Sequence, residues 1–132
     1  MNPPSARCAA PASLDAAALE RLRLLDPEGR NRVLARVLGA FEASLVRTLE
    51  QLAAQGEALD AVALAGIAHT LKSSSASVGA LQLAAACAEV ERVARTDAGK
   101  ARRADIERLR ADGEAALAAV RVTLRNSSAA PP

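Results

Sequence analysis

Aromatic residues are almost absent from this chain of 132 residues, which has no Trp, no Tyr and one Phe, at position 41. β-Branched residues are also scarce, whereas the two commonest residues, Ala (34) and Leu (18), are the strongest helix formers. This composition argues against a β-sandwich or a β-barrel and predicts an all-α fold. A chain of this length supports one domain.

Residues that bind metals are equally few. The single His, His69, and the two Cys, Cys8 and Cys87, are too few ligands for a four-ligand zinc site or a di-iron site. We therefore expect no metal and no cofactor. The two Cys match neither a disulfide framework nor a metal-binding motif. Cys87 lies within an apolar helical pattern and is predicted to be a small core residue.

Neither charge sign dominates, because 17 Lys and Arg and 15 Asp and Glu are interspersed and leave a net charge of +2. The densest basic patch, at 102–110, also contains Asp105 and Glu107, and stacking aromatics are missing. We therefore expect no nucleic-acid binding. No uninterrupted apolar stretch reaches the ~20 residues of a membrane span, and prolines interrupt the N-terminal segment where a signal peptide would lie. The sequence predicts no membrane association and a cytoplasmic location.

Apolar periodicity predicts five helices, at about 13–25, 27–54, 60–78, 80–95 and 100–124. The short connections make neighbouring helices antiparallel. We expect the last four to form an up-and-down antiparallel four-helix bundle, with the first as an additional short N-terminal helix. The bundle domain is predicted to span 13–125, between Pro/Ser/Ala-rich tails at 1–12 and 126–132 that are predicted to be disordered.

One apolar face on each helix is predicted to form the core. The first helix contributes Leu14, Ala18 and Leu25. The three longest stripes lie on the second, fourth and fifth helices. The stripe of the second helix consists of Leu34, Leu38, Phe41, Leu45, Leu49 and Leu52. That of the fourth consists of Leu83, Cys87, Val90 and Ala94, and that of the fifth of Ile106, Leu109, Leu117, Val120 and Leu124.

The third helix carries the candidate functional residue, His69. On a helical wheel, His69 lies opposite the apolar stripe, which runs from Leu64 to Val78, and it is therefore predicted to face solvent. Apart from Lys72, the residues that share its face are small: Ala65, Gly66, Ser73, Ala76 and, if the helix continues, Ala80. Small side chains leave the imidazole open to a second protein.

The chemistry of this face suits phosphoryl transfer. An imidazole near neutral pH is largely unprotonated and nucleophilic, so His69 could accept a phosphoryl group. Lys72, three residues on and on the same face, could offset the negative charge of that group. The alternative is that His69 is an ordinary exposed residue on a solvated helix.

The segment AHTLKSSSASVGA, residues 68–80, resembles the signature of histidine-containing phosphotransfer domains. Those domains carry a His, a Lys three residues later, a small residue next and a Gly ten residues after the His. The matching residues are His69, Lys72, Ser73 and Gly79. The family usually has Gly at the position of Ser73. The resemblance extends over about residues 13–125, because the leucine-rich fourth helix and the long helix containing Phe41 also match.

The resemblance implies a phosphorelay intermediate. Nε2 of His69 would take the phosphoryl group from an aspartyl phosphate on a response-regulator receiver domain and pass it to another receiver. The family also places an acidic or amide side chain on the fourth helix near the other ring nitrogen, and the matching residue is Glu91. The implied docking face consists of the small residues around His69 together with Gly79.

The implied partners are receiver domains and a hybrid sensor histidine kinase, and the implied state is a monomer. The chain would be a stoichiometric phosphocarrier rather than an autokinase, because it has no nucleotide-binding loop. The second hypothesis is a helical interaction or oligomerisation module in which His69 is never phosphorylated.

Overall fold

The computed structural model describes residues 13–96 and 102–128, and every regular element in these ranges is helical. A single 3₁₀ turn, Gly56–Ala58, follows the second helix. The five α-helices are α1, Ala16–Leu24, α2, Val33–Gln55, α3, Ala61–Ser77, α4, Leu81–Thr96, and α5, Arg102–Ser128. None of them combines the length and the apolarity that a membrane span requires.

The last four helices form the predicted bundle. Going round it, α2 packs on α5, α5 on α4, α4 on α3, and α3 on α2, while α1 lies against α2 as the additional N-terminal helix. The all-α prediction is therefore confirmed. Helices α2 and α5 approach closely at Gly113, where a Cβ would lie 2.7 Å from Cδ2 of Leu49.

Two helix boundaries differ from the prediction by four residues or more. Helix α2 begins at Val33 instead of near Pro27, because Gly29 adopts a positive φ of 73° and turns the chain. Asp26 still acts at this helix start, since its carboxylate accepts from the backbone N–H of Asn31 and of Val33. At the other end of the chain, α5 continues to Ser128, so residues 126–128 are helical instead of part of a tail.

The remaining parts of the two predicted tails, 1–12 and 129–132, lie outside the described residues, as does Cys8. The turn that the sequence predicts at 96–99 also lies outside the described residues, except for Thr96, which is the last residue of α4 instead of part of a turn.

The predicted stripes of the second, fourth and fifth helices form the core, with Leu34 and Leu124 only half-buried. For the first helix the core prediction was partly wrong. Leu19, which was not predicted, is buried beside Ala18, whereas Leu25 is exposed because it lies beyond the end of α1 at Leu24. Cys87 is a core residue, as predicted, and burial is the main reason that the pKa of its thiol rises to about 12. A thiol with this pKa stays protonated and unreactive.

A backbone contact joins the end of α3 to the start of α1. The N–H of Asp15 donates to the carbonyl of Gly79 over 2.8 Å, and Gly79 has a φ of +82°. A Cβ at this glycine would lie 2.7 Å from the nitrogen of Asp15. Only glycine therefore suits this position, both for its φ and for the space available. The turn after Gly79 leads directly into α4, whose first residue is Leu81.

Ser75 is fully buried on α3, and its Oγ has no hydrogen-bond partner within the described part of the chain. A hydroxyl buried without a partner costs about 1–3 kcal/mol. Ser75→Ala removes this group with little change in volume, so we expect the free energy of unfolding to rise by about 1 kcal/mol. Urea denaturation measures it.

The matched control for this prediction is Ser77→Ala on the same helix. The exposed hydroxyl of Ser77 donates to the carbonyl of Ser73 over 3.1 Å, so its removal should change stability by less than about 0.5 kcal/mol. A loss of stability in Ser75→Ala relative to this control would show that the Ser75 hydroxyl does find a partner in solution.

Candidate functional site

His69 lies on the outer face of α3, with its side chain 62% exposed. Helix α3 begins at Ala61, close to the predicted start near Asp60, because the Asp60 carboxylate accepts from the N–H of Ala63 and caps the first turn. Leu64 and Leu71 bury the opposite face of the helix and thereby fix which way it is turned. The imidazole is consequently held at the surface of a rigid element.

Glu91 reaches His69 from α4. One carboxylate oxygen, Oε2, lies 3.0 Å from Nδ1 of the imidazole, and the other, Oε1, accepts from Nζ of Lys72 over 2.8 Å. The Glu91 side chain is only 11% exposed, whereas that of Lys72 is 38% exposed. The structure thus brings together the three residues for which the sequence predicts a chemical role.

Arg95 also contacts this carboxylate, which the sequence analysis did not predict. Its Nε and Nη2 lie 3.0 Å and 2.8 Å from Oε2 of Glu91. The available signal was the spacing, because Glu91 and Arg95 are four residues apart on a helix and such pairs meet. We call His69, Lys72, Glu91 and Arg95 the Glu91 cluster.

The cations of the cluster keep Glu91 ionised. Hydrogen bonds from Lys72, first, and from Arg95 outweigh the opposing effect of burial, and His69 contributes in the same direction. Together they lower the pKa of the Glu91 carboxyl from its usual 4.5 to about 2. A carboxylate beside Nδ1 favours the tautomer with a proton on Nδ1, which leaves Nε2 with a free electron pair.

The lowered pKa of Glu91 predicts how stability changes in acid. A carboxyl group whose pKa is lower in the folded state stabilises the protein above its unfolded value, and that contribution is lost as the pH falls. For Glu91 the loss should occur between about pH 4.5 and about pH 2. Glu91→Gln cannot titrate, so the difference in unfolding free energy between wild type and variant should shrink as the pH falls through this range.

Thermal denaturation of both proteins across this pH range measures the difference. A difference that stays constant down to pH 2 would contradict the lowered pKa.

The small residues that the sequence assigns to the His69 face divide into two groups. Gly66, Ser73 and Ala76 are exposed, as an accessible surface requires. Ala65, Gly79 and Ala80 are buried, so for these three the predicted exposure is wrong.

These three residues are buried because two other parts of the chain, α4 and the segment before α1, cover this side of α3 and the turn that follows it. Ala65 lies about 40° from His69 on the wheel, on the same flank as Lys72, where α4 packs. Gly79 and Ala80 lie under the segment that precedes α1: Asp15 bonds to Gly79, and Ser13 and Leu14 line a small cavity with Ala80.

A second residue missed by the sequence analysis is Val62, which is 83% exposed in the first turn of α3. It precedes His69 by seven residues, two turns of helix, and so lies on the same face. Its wheel position could have revealed it. We call Val62, Gly66, Ser73 and Ala76, which surround His69, the docking face.

No group of three or more His, Cys, Asp or Glu side chains capable of holding a metal ion is present within 13–96 and 102–128. The Glu91 cluster contains one carboxylate that is already paired with two cations.

The Hpt domain family model matches residues 36–120, which include every member of the Glu91 cluster. The chain belongs to the Hpt family. Hpt proteins carry out histidine phosphotransfer in two-component signalling and are phosphocarriers rather than enzymes. The matched residues cover α3 and α4 completely and parts of α2 and α5.

A solved structure is similar to this Hpt chain over most of its length. It is the histidine-containing phosphotransfer protein B (HptB) of Pseudomonas aeruginosa PAO1, with 29% sequence identity and a TM-score of 0.70. The similarity covers 90% of this chain and 96% of that one. Among curated proteins, none matches the chain.

Proposed function

We propose that this Hpt protein accepts a phosphoryl group on Nε2 of His69 from an aspartyl phosphate of a receiver domain and delivers it to a second receiver. The observation that carries the proposal is the contact between Nδ1 of an exposed His69 and the largely buried Glu91 carboxylate. It fixes the ring from one side and leaves Nε2 for reaction.

Transfer of the phosphoryl group from the aspartyl phosphate to Nε2 requires no proton to leave the protein. The electron pair of Nε2 attacks phosphorus, the N–P bond forms as the P–O bond to the aspartate breaks, and the leaving electron pair stays on the aspartate carboxylate. Nδ1 keeps its proton, so the phosphorylated ring carries a positive charge facing Glu91. That charge makes the imidazole a good leaving group, and the phosphoryl group can therefore move on.

Phosphoryl transfer between two proteins needs an accessible surface around the nucleophile. The docking face offers the apolar Val62 and the small residues Gly66, Ser73 and Ala76 around the imidazole. We propose that receiver domains dock there, that the phosphoryl group enters the relay from a hybrid sensor histidine kinase, and that the protein works in the cytoplasm as a monomer. It would act as a stoichiometric carrier and not as an autokinase.

A transfer assay tests the proposal. A receiver domain from the source organism, radiolabelled on its aspartate, is mixed with the purified protein, and the label should move to it as an acid-labile, base-stable adduct. Because His69 is the only histidine of the chain, any phosphohistidine must form there, and His69→Gln should carry none. Absence of transfer from every receiver of that organism would support a helical interaction module instead.

Ser73→Phe tests the docking face. Ser73 is exposed one turn beyond His69, so a bulky ring there should block close approach of a receiver and lower the transfer rate by about tenfold or more. The melting temperature should stay within about 3 °C of wild type, because exposed substitutions change stability little. Transfer rate and melting curve are both measured.

The control is Ala43→Phe, at an exposed position on α2, which should leave transfer unchanged. Equal transfer rates for the two variants would exclude Ser73 from the docking surface.

A further inference from the structure

The two cations that neutralise Glu91 contact different oxygens of its carboxylate. Lys72 donates to Oε1, whereas Nε of Arg95 donates to Oε2, the oxygen that also contacts His69, and Nη2 of Arg95 lies 2.8 Å from that oxygen. If Lys72 left, the contacts at Oε2 would remain. If Arg95 were absent, Lys72 would be the one Lys or Arg among the described residues still paired with this carboxylate, which is only 11% exposed.

Charge changes sharply at this cluster during the proposed reaction. With a neutral imidazole, one carboxylate and two cations give a net charge of +1. A phosphoryl group brings a charge near −2, so a cation able to move toward it stabilises the product. Lys72 suits this movement, because it is one turn from His69 and ends in a compact ammonium on a flexible stem.

Resting on this proposed function, we propose that Arg95 is a positioning residue that keeps Glu91 neutralised and in place when Lys72 moves from Glu91 to the phosphoryl group on His69. The structure supports a division of roles between the two cations. The planar guanidinium of Arg95 faces Oε2 with two nitrogens, Nε as a hydrogen-bond donor and Nη2 as an ion-pair contact, whereas Lys72 makes one contact, to Oε1.

Arg95 is required because Glu91 is poorly solvated. Without Arg95, departure of Lys72 would leave this largely buried carboxylate with only the spread charge of the phosphorylated ring beside it, at a desolvation penalty, so Lys72 would stay with Glu91. The phosphoryl group would then form without a cation beside it. The inference therefore predicts that the benefit of Lys72 for phosphorylation depends on Arg95.

A double-mutant cycle measures this dependence. The reaction is phosphorylation of His69 by phosphoramidate, a small donor that needs no receiver, followed by ³¹P NMR. In the wild-type background, Lys72→Ala should slow the reaction about tenfold, the effect of one charge-assisted hydrogen bond. In the Arg95→Met background, the same change should slow it less than about threefold.

Two further variants separate this role from a structural one. Arg92→Met is the matched control, because Arg92 lies on the same helix and pairs with Glu89 instead of Glu91. In that background Lys72→Ala should again cost about tenfold. Arg95→Lys restores a cation at Glu91 and should recover most of the dependence on Lys72, which a purely structural effect on folding would not produce.

The outcomes distinguish this inference from the relay itself. Equal effects of Lys72→Ala in the wild-type and Arg95→Met backgrounds would overturn the role of Arg95, even where receivers transfer phosphate normally. Conversely, the expected coupling with phosphoramidate but no transfer from any receiver would uphold Arg95 and overturn the relay. A His69 that phosphoramidate does not label at all, in correctly folded wild-type protein, would overturn both.

Discussion

Replacing Glu91 by Ala is expected to lower the rate of phosphoryl transfer to His69 by about 10²-fold while the bundle stays folded. The variant removes the acceptor for Nδ1–H, so the proton is no longer confined to Nδ1 and Nε2 loses its free electron pair in part of the population. It also leaves Lys72 and Arg95 as two neighbouring cations without their shared carboxylate. The transfer rates of wild type and variant are measured with the phosphorylated receiver domain in excess and then compared.

Two variants complete this test. Glu91→Gln keeps an oxygen that can accept from Nδ1–H but removes the charge, so we expect an intermediate loss of about tenfold. Glu89→Ala, on the same helix, breaks an exposed pair with Arg92 and should leave the rate unchanged. Transfer by Glu91→Ala at the rate of Glu89→Ala would show that Nδ1 needs no acceptor. The ¹⁵N chemical shifts of the imidazole report the tautomer independently.

Gly79→Ala is expected to lower the free energy of unfolding by about 3 kcal/mol. Two effects combine. A φ of +82° is unfavourable for any residue with a Cβ, and the added methyl would lie 2.7 Å from the nitrogen of Asp15 and 3.0 Å from Cβ of Ala18. Because the nearest atom belongs to the backbone, the start of α1 must move to admit the methyl.

The expected loss corresponds to a fall of about 10 °C in melting temperature. Gly39→Ala is the matched control. Gly39 lies within α2, no atom of another described helix lies within 4 Å of its ideal Cβ position, and its substitution should stabilise the helix by about 0.5–1 kcal/mol. If Gly79→Ala melts within a few degrees of wild type, the contact between α1 and the end of α3 is not rigid.

The fold could be predicted from the sequence largely because its apolar stripes have a clear helical period. Leu38, Phe41 and Leu45 on α2, for example, are all buried as that period requires. The start of α2 could not be placed correctly, because Asp26-Pro27 matches a helix start. The turn at Gly29 overrides that local signal, since the Asp26 side chain reaches past it to the N–H of Val33.

The site was predictable where one helix determines it and less so where two elements meet. The outward position of His69 follows from the wheel of α3 alone. The burial of Ala65 depends on how α4 packs, and the burial of Gly79 depends on the segment before α1. Arg95 was overlooked for a similar reason. Pairs of opposite charge four residues apart are common on exposed helix surfaces, and only the packing of α4 on α3 shows that Glu91 is largely buried.

Every member of the Glu91 cluster lies on the helical hairpin formed by α3 and α4, which are joined by the short turn Val78–Ala80. Helices α2 and α5 support this hairpin but contribute no atom to the cluster in the described residues. Fraying of α1 or of the far end of α5 should therefore leave the reactive geometry intact. In amide hydrogen exchange, the protected amides of α3 and α4 should open together as one cooperative unit, and phosphorylation should slow their exchange without affecting α1.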